Sequence, residues 1–257
     1  QWTKLVGTSS QEIVHAVISD SSGNCYITGS TEGALSGTNQ GYADVFVAKY
    51  NSSGSQQWLT QIGTSAYEYN YGVAVDSNSN VYTLGRSMGG FDSYSHQGNY
   101  DILIAKFNSS GTKQWTAQIG SSSYDWTSGI DIDSDGNVYI VGSTNGGIDS
   151  NSNTGGYDAI ILKYNSSGTK QWSRQFGSSS NDWAMDLDIN SSNEIYITGR
   201  TNGSLDSNTN LGSYDGFLVK YNSSGTKQWT KQFGTSSIDW ANGVAIDSSG
   251  NIVVTGY

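Results

Sequence analysis

Residues 164–172 read Tyr-Asn-Ser-Ser-Gly-Thr-Lys-Gln-Trp, and the same nine residues return at 221–229. The Gln-Trp pair that closes this stretch stands at 1, 57, 114, 171 and 228, so the chain repeats with spacings of 56, 57, 57 and 57. A fixed period of this size marks a stacked or radial repeat architecture. In the third copy Gly129-Ile-Asp-Ile-Asp133 alternates, and Ser134-Asp-Gly-Asn137 follows as a turn. Val138–Gly142 is a second strand, 143–156 a long polar loop, and Tyr157–Tyr164 a third strand. Asn165–Lys170 makes another turn before a fourth strand over Gln171–Gly177. Short β-rich runs split by Gly, Asn and Ser are strand signals, and no segment has an apolar period of 3.6. Four strands per unit in radial repetition is a propeller blade.

Composition narrows the rest. Of 257 residues, 33 are Gly and none is Pro, while 17 Tyr and 8 Trp supply the large apolar rings that the short aliphatic complement lacks. With 12 Lys+Arg against 22 Asp+Glu and a net charge of -10, the chain has no basic patch for nucleic acid. No apolar run reaches the roughly 18 residues of a membrane-spanning helix, so membrane insertion is not expected. One Cys and two His leave no thiolate or multi-histidine metal site within the chain, and no cofactor is expected.

The pattern G-x-A-x-D-S-S-G-N-x-Y-x-T-G, followed by Y-D-x-F-L-V-K-Y-N-S-S-G, resembles the bacterial β-propeller repeat called SBBP. Its first half is also similar to NHL repeats. The matching stretches are Gly72–Gly85 with Asp101–Gly111, Gly243–Gly256, and Asp215–Gly225. The resemblance implies an all-β propeller of four-stranded blades in one domain over residues 1–257, with four and a half repeats present and a five-bladed ring if completed. It also implies that the Gly-Val-Ala-Ile-Asp strand is innermost and the Gln-Trp strand outermost. It carries no shared catalytic motif, because such propellers serve mainly as parts of exported surface proteins.

Individual residues are read against the repeat. Trp2, Trp58, Trp115, Trp172 and Trp229 are expected to fill a core between blades. Inner strands at 73–75, 130–132, 187–189 and 244–246 are expected to be buried. Cys25 stands where Val81, Val138, Ile195 and Ile252 stand, as a small hydrophobe. Asp44, Asp101, Asp158 and Asp215 open the third strands with Lys49, Lys106, Lys163 and Lys220 five residues on. Odd spacing puts each pair on opposite faces, which leaves pairing between blades. Asn51, Asn108, Asn165, Asn190, Asn202 and Asn222 match N-x-S acceptors and equally match turn chemistry.

Candidate ligand groups come from topology. The outer-to-inner connection and the second-to-third loop emerge on one face of a meander. That face therefore collects Glu12-Ile13, Glu68-Tyr69, Asp125-Trp126, Asp182-Trp183 and Asp239-Trp240, together with Asp92, Asp149 and Asp206 of the long loops. An acid beside an aromatic, repeated, is a ligand-facing pattern. The same acids can instead accept backbone N–H bonds from the next blade, with the ring packed beneath. Asp131, Asp133 and Asp135 before Gly136 open like a Ca2+ loop, although Gly142 stands where an EF-hand needs Glu and turn chemistry explains the rest. Asp131 and Asp188 share one inner-strand position, where they can flank a cation or accept backbone bonds.

The leading expectation is a non-catalytic extracellular or cell-surface scaffold, adhesion or protein-interaction module. Its partners would be other copies of itself, surface proteins or glycans. A carbohydrate-binding propeller using the long-loop face and a glycosidase-type enzyme are the alternatives. Five outer strands, counting residues 1–7, against four third strands leave an open edge near Tyr257. The expectation is that the chain continues for about half a unit, or that another molecule adds the strand and subunits join head to tail.

Overall fold

The computed structural model describes residues 2–257, and every regular element among them is a β-strand. Strands β1 (Glu12–Ser19), β2 (Cys25–Thr31), β3 (Asp44–Tyr50) and β4 (Gln56–Ile62) form one antiparallel sheet in chain order. The second sheet is β5 (Glu68–Val75), β6 (Val81–Ser87), β7 (Asp101–Phe107) and β8 (Lys113–Ile119). The third is β9 (Asp125–Ile132), β10 (Val138–Thr144), β11 (Asp158–Tyr164) and β12 (Lys170–Phe176). The fourth is β13 (Asp182–Ile189), β14 (Ile195–Thr201), β15 (Asp215–Tyr221) and β16 (Lys227–Phe233). Strands β17 (Ala241–Ile246) and β18 (Ile252–Gly256) pair as the start of a fifth. These are propeller blades with the Gln-Trp strand at the outer edge. Contacts group them into two compact units, residues 1–120 and 121–257. No described helix is long and apolar enough to cross a membrane.

The two short turns of each blade are built by side chains. Asp133 Oδ1 accepts the N–H groups of Asp135 and Asn137 at 3.0 and 2.8 Å, while Gly136 takes a φ of 78°. Asn222 does the same for Ser224 and Thr226, with Gly225 at a φ of 76°. An Asx side chain satisfies the turn backbone, and glycine supplies the left-handed residue without steric cost. Asn51, Asn108 and Asn165 hold equivalent turns, and Asn190 holds a first turn.

The repeating Trp explains why the second glycine cannot change. Trp58 Nε1 donates to the Ser109 carbonyl at 3.0 Å, and a Cβ on Gly111 would stand 2.6 Å from the indole. Trp172 meets Ser223 and Gly225 in the same way. Each ring also contacts the second-strand Tyr of its own blade, with Tyr139–Trp172 centroids 6.0 Å apart. Gly225→Ala is expected to lower stability by about 1–2 kcal/mol from the left-handed backbone alone. Displacement of Trp172 adds to that, and urea unfolding measures the sum.

Four expectations are corrected. The inner strands are only part-buried: Val17 is exposed, and so is Ala245 within the 244–246 run. The middle strands make the core instead, because they alone have a ladder on both edges. Val45, Val47, Val81, Leu103 and Phe107 cluster in the first unit, and Val141, Ile161, Ile197, Phe217 and Val219 in the second. Residues 2–7 form no strand, since no described strand flanks them; Gln1 lies outside the described residues. Trp2 still takes the place of its copies, donating to Ser52 at 3.1 Å over Gly54. The third-strand Lys and Asp do not pair with each other. Lys49, Lys106, Lys163 and Lys220 lie over the Tyr rings at 26, 82, 139 and 196 of their own blades at 4.9–5.4 Å. Finally, Cys25 is only part-buried, and burial still raises its thiol pKa, as for an unreactive position.

Candidate functional site

The connection entering each inner strand packs against the long loop, so the face expected to collect acids and aromatics does so. A Cβ on Gly89 would press on Thr64, and one on Gly203 would press on Ser178. What the acids do there differs from a free ligand array. Glu68 and Asp182 are fully buried, and each accepts a backbone N–H from four residues upstream, Thr64 and Ser178, at 2.6 Å. Hydroxyls of Thr64 and Ser87 complete Glu68, and those of Ser178 and Thr201 complete Asp182. Asp125 is held by Ser121 and Thr144, Glu12 by Thr8 and Thr31, and Asp239 by Thr235. The donors thus belong to the blade's own entry turn and second strand, not to the next blade as expected. The motif is an acid four residues after a Ser or Thr, which local sequence alone can read. Burial pushes both Glu68 and Asp182 above the usual carboxylate range.

The long-loop acids are exposed and tethered. Asp92 pairs with Lys113 at 2.8 Å, Asp206 with Lys227 at 2.5 Å, and Asp149 with Lys170. Each also accepts from the outer-strand hydroxyl of Thr116, Thr230 or Ser173. Burial opposes ionisation of Asp92 and Asp206, but the lysine and hydroxyl bonds hold both below their usual range. All three sit at positive φ, 47–57°.

A residue missed in the sequence anchors the rest of the loop. Gln118 Oε1 accepts the Phe91 N–H at 2.8 Å, and its Nε2 donates to the Gly89 carbonyl and to Asp101 at 3.0 and 2.7 Å. Gln61, Gln175 and Gln232 repeat this with Asp44, Asp158 and Asp215. The signal was available: Gln stands three residues after Trp in four copies, and the exposed Leu5 replaces it in the first.

The Asp131, Asp133 and Asp135 carboxylates do not converge as a Ca2+ site. Asp133 is used by its turn and by the Tyr139 hydroxyl at 3.0 Å, and Asp135 is exposed and reached by Asn193. Among the described residues no group of three metal-ligating side chains is brought together. On the inner strands, Asp188 accepts the Ile246 N–H at 2.6 Å and Asp186 the Val244 N–H at 3.0 Å, so carboxylates stitch one inner strand to the next. Asp131 accepts from Ile132 at 2.8 Å and from Ile189. Burial, with the charges of Asp188 and Asp186 adding and these backbone bonds opposing, pushes Asp131 up to about 7. A carboxyl raised above its unfolded value gives stability that is complete below about pH 4 and lost as pH rises through about 7. Asp131→Asn is therefore expected to flatten the fall in stability between pH 5 and 8, by at most about 1.4 kcal/mol per pH unit. Urea midpoints of both proteins at pH 5, 6, 7 and 8 check this.

The rings beside the acids gather around arginines. In the first unit Arg86 lies over Tyr69, Tyr71 and Tyr100 at 5.6, 5.1 and 4.3 Å, and His15 rests on Tyr71 at 4.9 Å. In the second unit Arg200 lies 3.7 Å from the Trp240 centroid and within 6 Å of Trp183 and Tyr214. Trp126 meets Trp183 edge-on at 6.4 Å, and Tyr157 stacks on Trp183 at 4.0 Å. Neither arginine was singled out in the sequence. Two of the three Arg stand at one repeat position, after Gly85 and Gly199, where the other copies have Ser30, Ser143 and Tyr257.

A family model described as a beta-propeller repeat matches residues 1–35, 57–92, 114–149, 171–206 and 228–257. An uncharacterized WD repeat-containing protein of Acanthamoeba polyphaga mimivirus is 24% identical over 344 residues, covering 100% of this chain and 25% of that protein. The regulatory protein FlaEY of Caulobacter vibrioides is 26% identical over 177 residues, covering 61% of this chain and 18% of its own length. The chain thus spans a quarter or less of these curated relatives. A PL25 ulvan lyase superposes with a TM-score of 0.51 at 13% identity, over 93% of this chain and 65% of the lyase. A gluconolactonase from Xanthomonas campestris gives 0.50 at 9%, over 95% and 69%. At such identities the likeness is one of fold alone.

Proposed function

Since the chain belongs to the SBBP beta-propeller repeat family, we propose that it is a non-catalytic interaction module on the cell surface or outside the cell. The observation that carries this reading is the common fate of the loop-face acids. Glu68, Asp125 and Asp182 are each bound by a Ser or Thr four residues upstream and by a second-strand hydroxyl, and among these loop-face acids no pair departs from the repeat. A glycosidase needs two acids with distinct environments. The repeated, weakly charged Ser/Asn/Thr surface gives one motif several times, which suits multivalent contact with copies of itself, surface proteins or glycans. A WD repeat-containing protein and a regulatory protein among the relatives accord with an interaction role.

Carbohydrate recognition is a second reading, favoured by the partly exposed Trp183, Tyr214 and Trp240 on the loop face. The labelled chain is expected to be retained saturably on intact bacterial envelopes and to release no product from a polysaccharide panel. Turnover abolished by a single Asp→Asn change would overturn the interaction reading.

A further inference from the structure

Arg200 holds a charge that the protein around it does not answer. Among the described residues no carboxylate lies within ion-pair distance of it, in a chain with 22 acids. Its Nε and the neighbouring Trp240 Nε1 are covered yet meet no acceptor. These two atoms are out of a ligand's reach, but the terminal nitrogens of Arg200 are neither covered nor bonded by the described residues, so the guanidinium keeps N–H groups for an oxyanion. The repeat sharpens the point. At the same position in the third blade, Ser143 Oγ accepts the Ala184 N–H at 3.1 Å and joins that blade to the next. Arginine forgoes that bond. In exchange it presents a planar fork stacked on Trp240 at 3.7 Å, a placement that leaves its in-plane donors for a bidentate acceptor. Beside it Tyr157 stacks on Trp183 at 4.0 Å and holds the part-exposed indole as a rigid apolar edge next to the guanidinium.

We propose that Arg200, with Trp183, Tyr214 and Trp240, forms a binding site for an acidic saccharide, a sugar ring bearing a carboxylate or a sulfate. This rests on the carbohydrate reading above. The guanidinium takes the oxyanion, the Trp240 indole backs it from the stacked side, and the part-exposed edge of Trp183 meets the sugar ring.

The test follows tryptophan fluorescence of the full chain titrated with three probes: oligogalacturonate, a κ-carrageenan tetrasaccharide and neutral cellotetraose. At least one acidic probe is expected to bind ten times more tightly than cellotetraose, and which one separates a carboxylate source from a sulfate source. Arg200→Met keeps the packing on Trp240 without the charge, and it is expected to weaken acidic binding at least tenfold. Arg200→Lys keeps the charge without the fork and serves if the Met variant does not fold; it should weaken binding several-fold. Unchanged acidic binding in the folded variant overturns the proposal. Cellotetraose binding as tightly as the acidic probes overturns it while leaving the carbohydrate reading in place, and no binding by any probe removes both.

Discussion

Asp182→Ala is expected to lower the free energy of unfolding by about 3 kcal/mol, because an orphaned buried donor costs about 1–3 kcal/mol and several lose their acceptor together. The carboxylate is fully buried and takes the Ser178 N–H at 2.6 Å, along with the hydroxyls of Ser178 and Thr201. Alanine leaves all of them facing a gap beside Gly177, where the Asp158 and Asp182 carboxylates now crowd any added Cβ. Asp182→Asn keeps one acceptor oxygen and should lose less than half as much. Urea unfolding followed by tryptophan fluorescence measures both, and an Asn variant as unstable as the Ala variant would mean that the charge matters more than the bonds.

Gln118→Ala is expected to cost a similar amount, about 3 kcal/mol, through a different element. Its amide is the shared partner of the Phe91 N–H, the Gly89 carbonyl and Asp101, so its removal strands three groups and frees the loop between β6 and β7. Phe91, only 3% exposed, is the plug that the loop inserts into the core of its unit. Hydrogen exchange should show lost protection at residues 88–92, with β6 and β7 themselves little changed. Uniform loss across the unit would indicate that the loop and the sheet unfold together.

The architecture was legible because its causes are local and repeated. Turn acceptors such as Asn165 and left-handed glycines such as Gly168 lie within short stretches, the Trp that follows each seals the glycine of the next copy, and the period of 57 multiplies the signal. Burial was less legible. Alternation over Gly129–Asp133 marks a strand but not how many neighbours it has, and an inner strand has a ladder on one edge only. Gln118 escaped notice because a polar residue in an outer strand reads as solvated, whereas its partners come from a loop 27 residues earlier. Arg200 escaped for the opposite reason: a repeat directs attention to what recurs, and this arginine breaks the pattern. The acid-aromatic pairs were found as a set, but pairing in sequence could not separate their work. The acids turn inward to the entry turn, and the rings turn to one another.

We propose that the rings and arginines meet partners, whereas the loop-face acids secure the turns and loops of their own blades. This claim is tested most directly by measuring stability and envelope retention on the same samples of Asp182→Ala, Asp206→Ala and the unaltered chain. The expected result is lower urea midpoints for both variants, smaller for the exposed Asp206, with retention per folded molecule unchanged. Unchanged midpoints together with lost retention would contradict the claim and make these carboxylates the ligand groups.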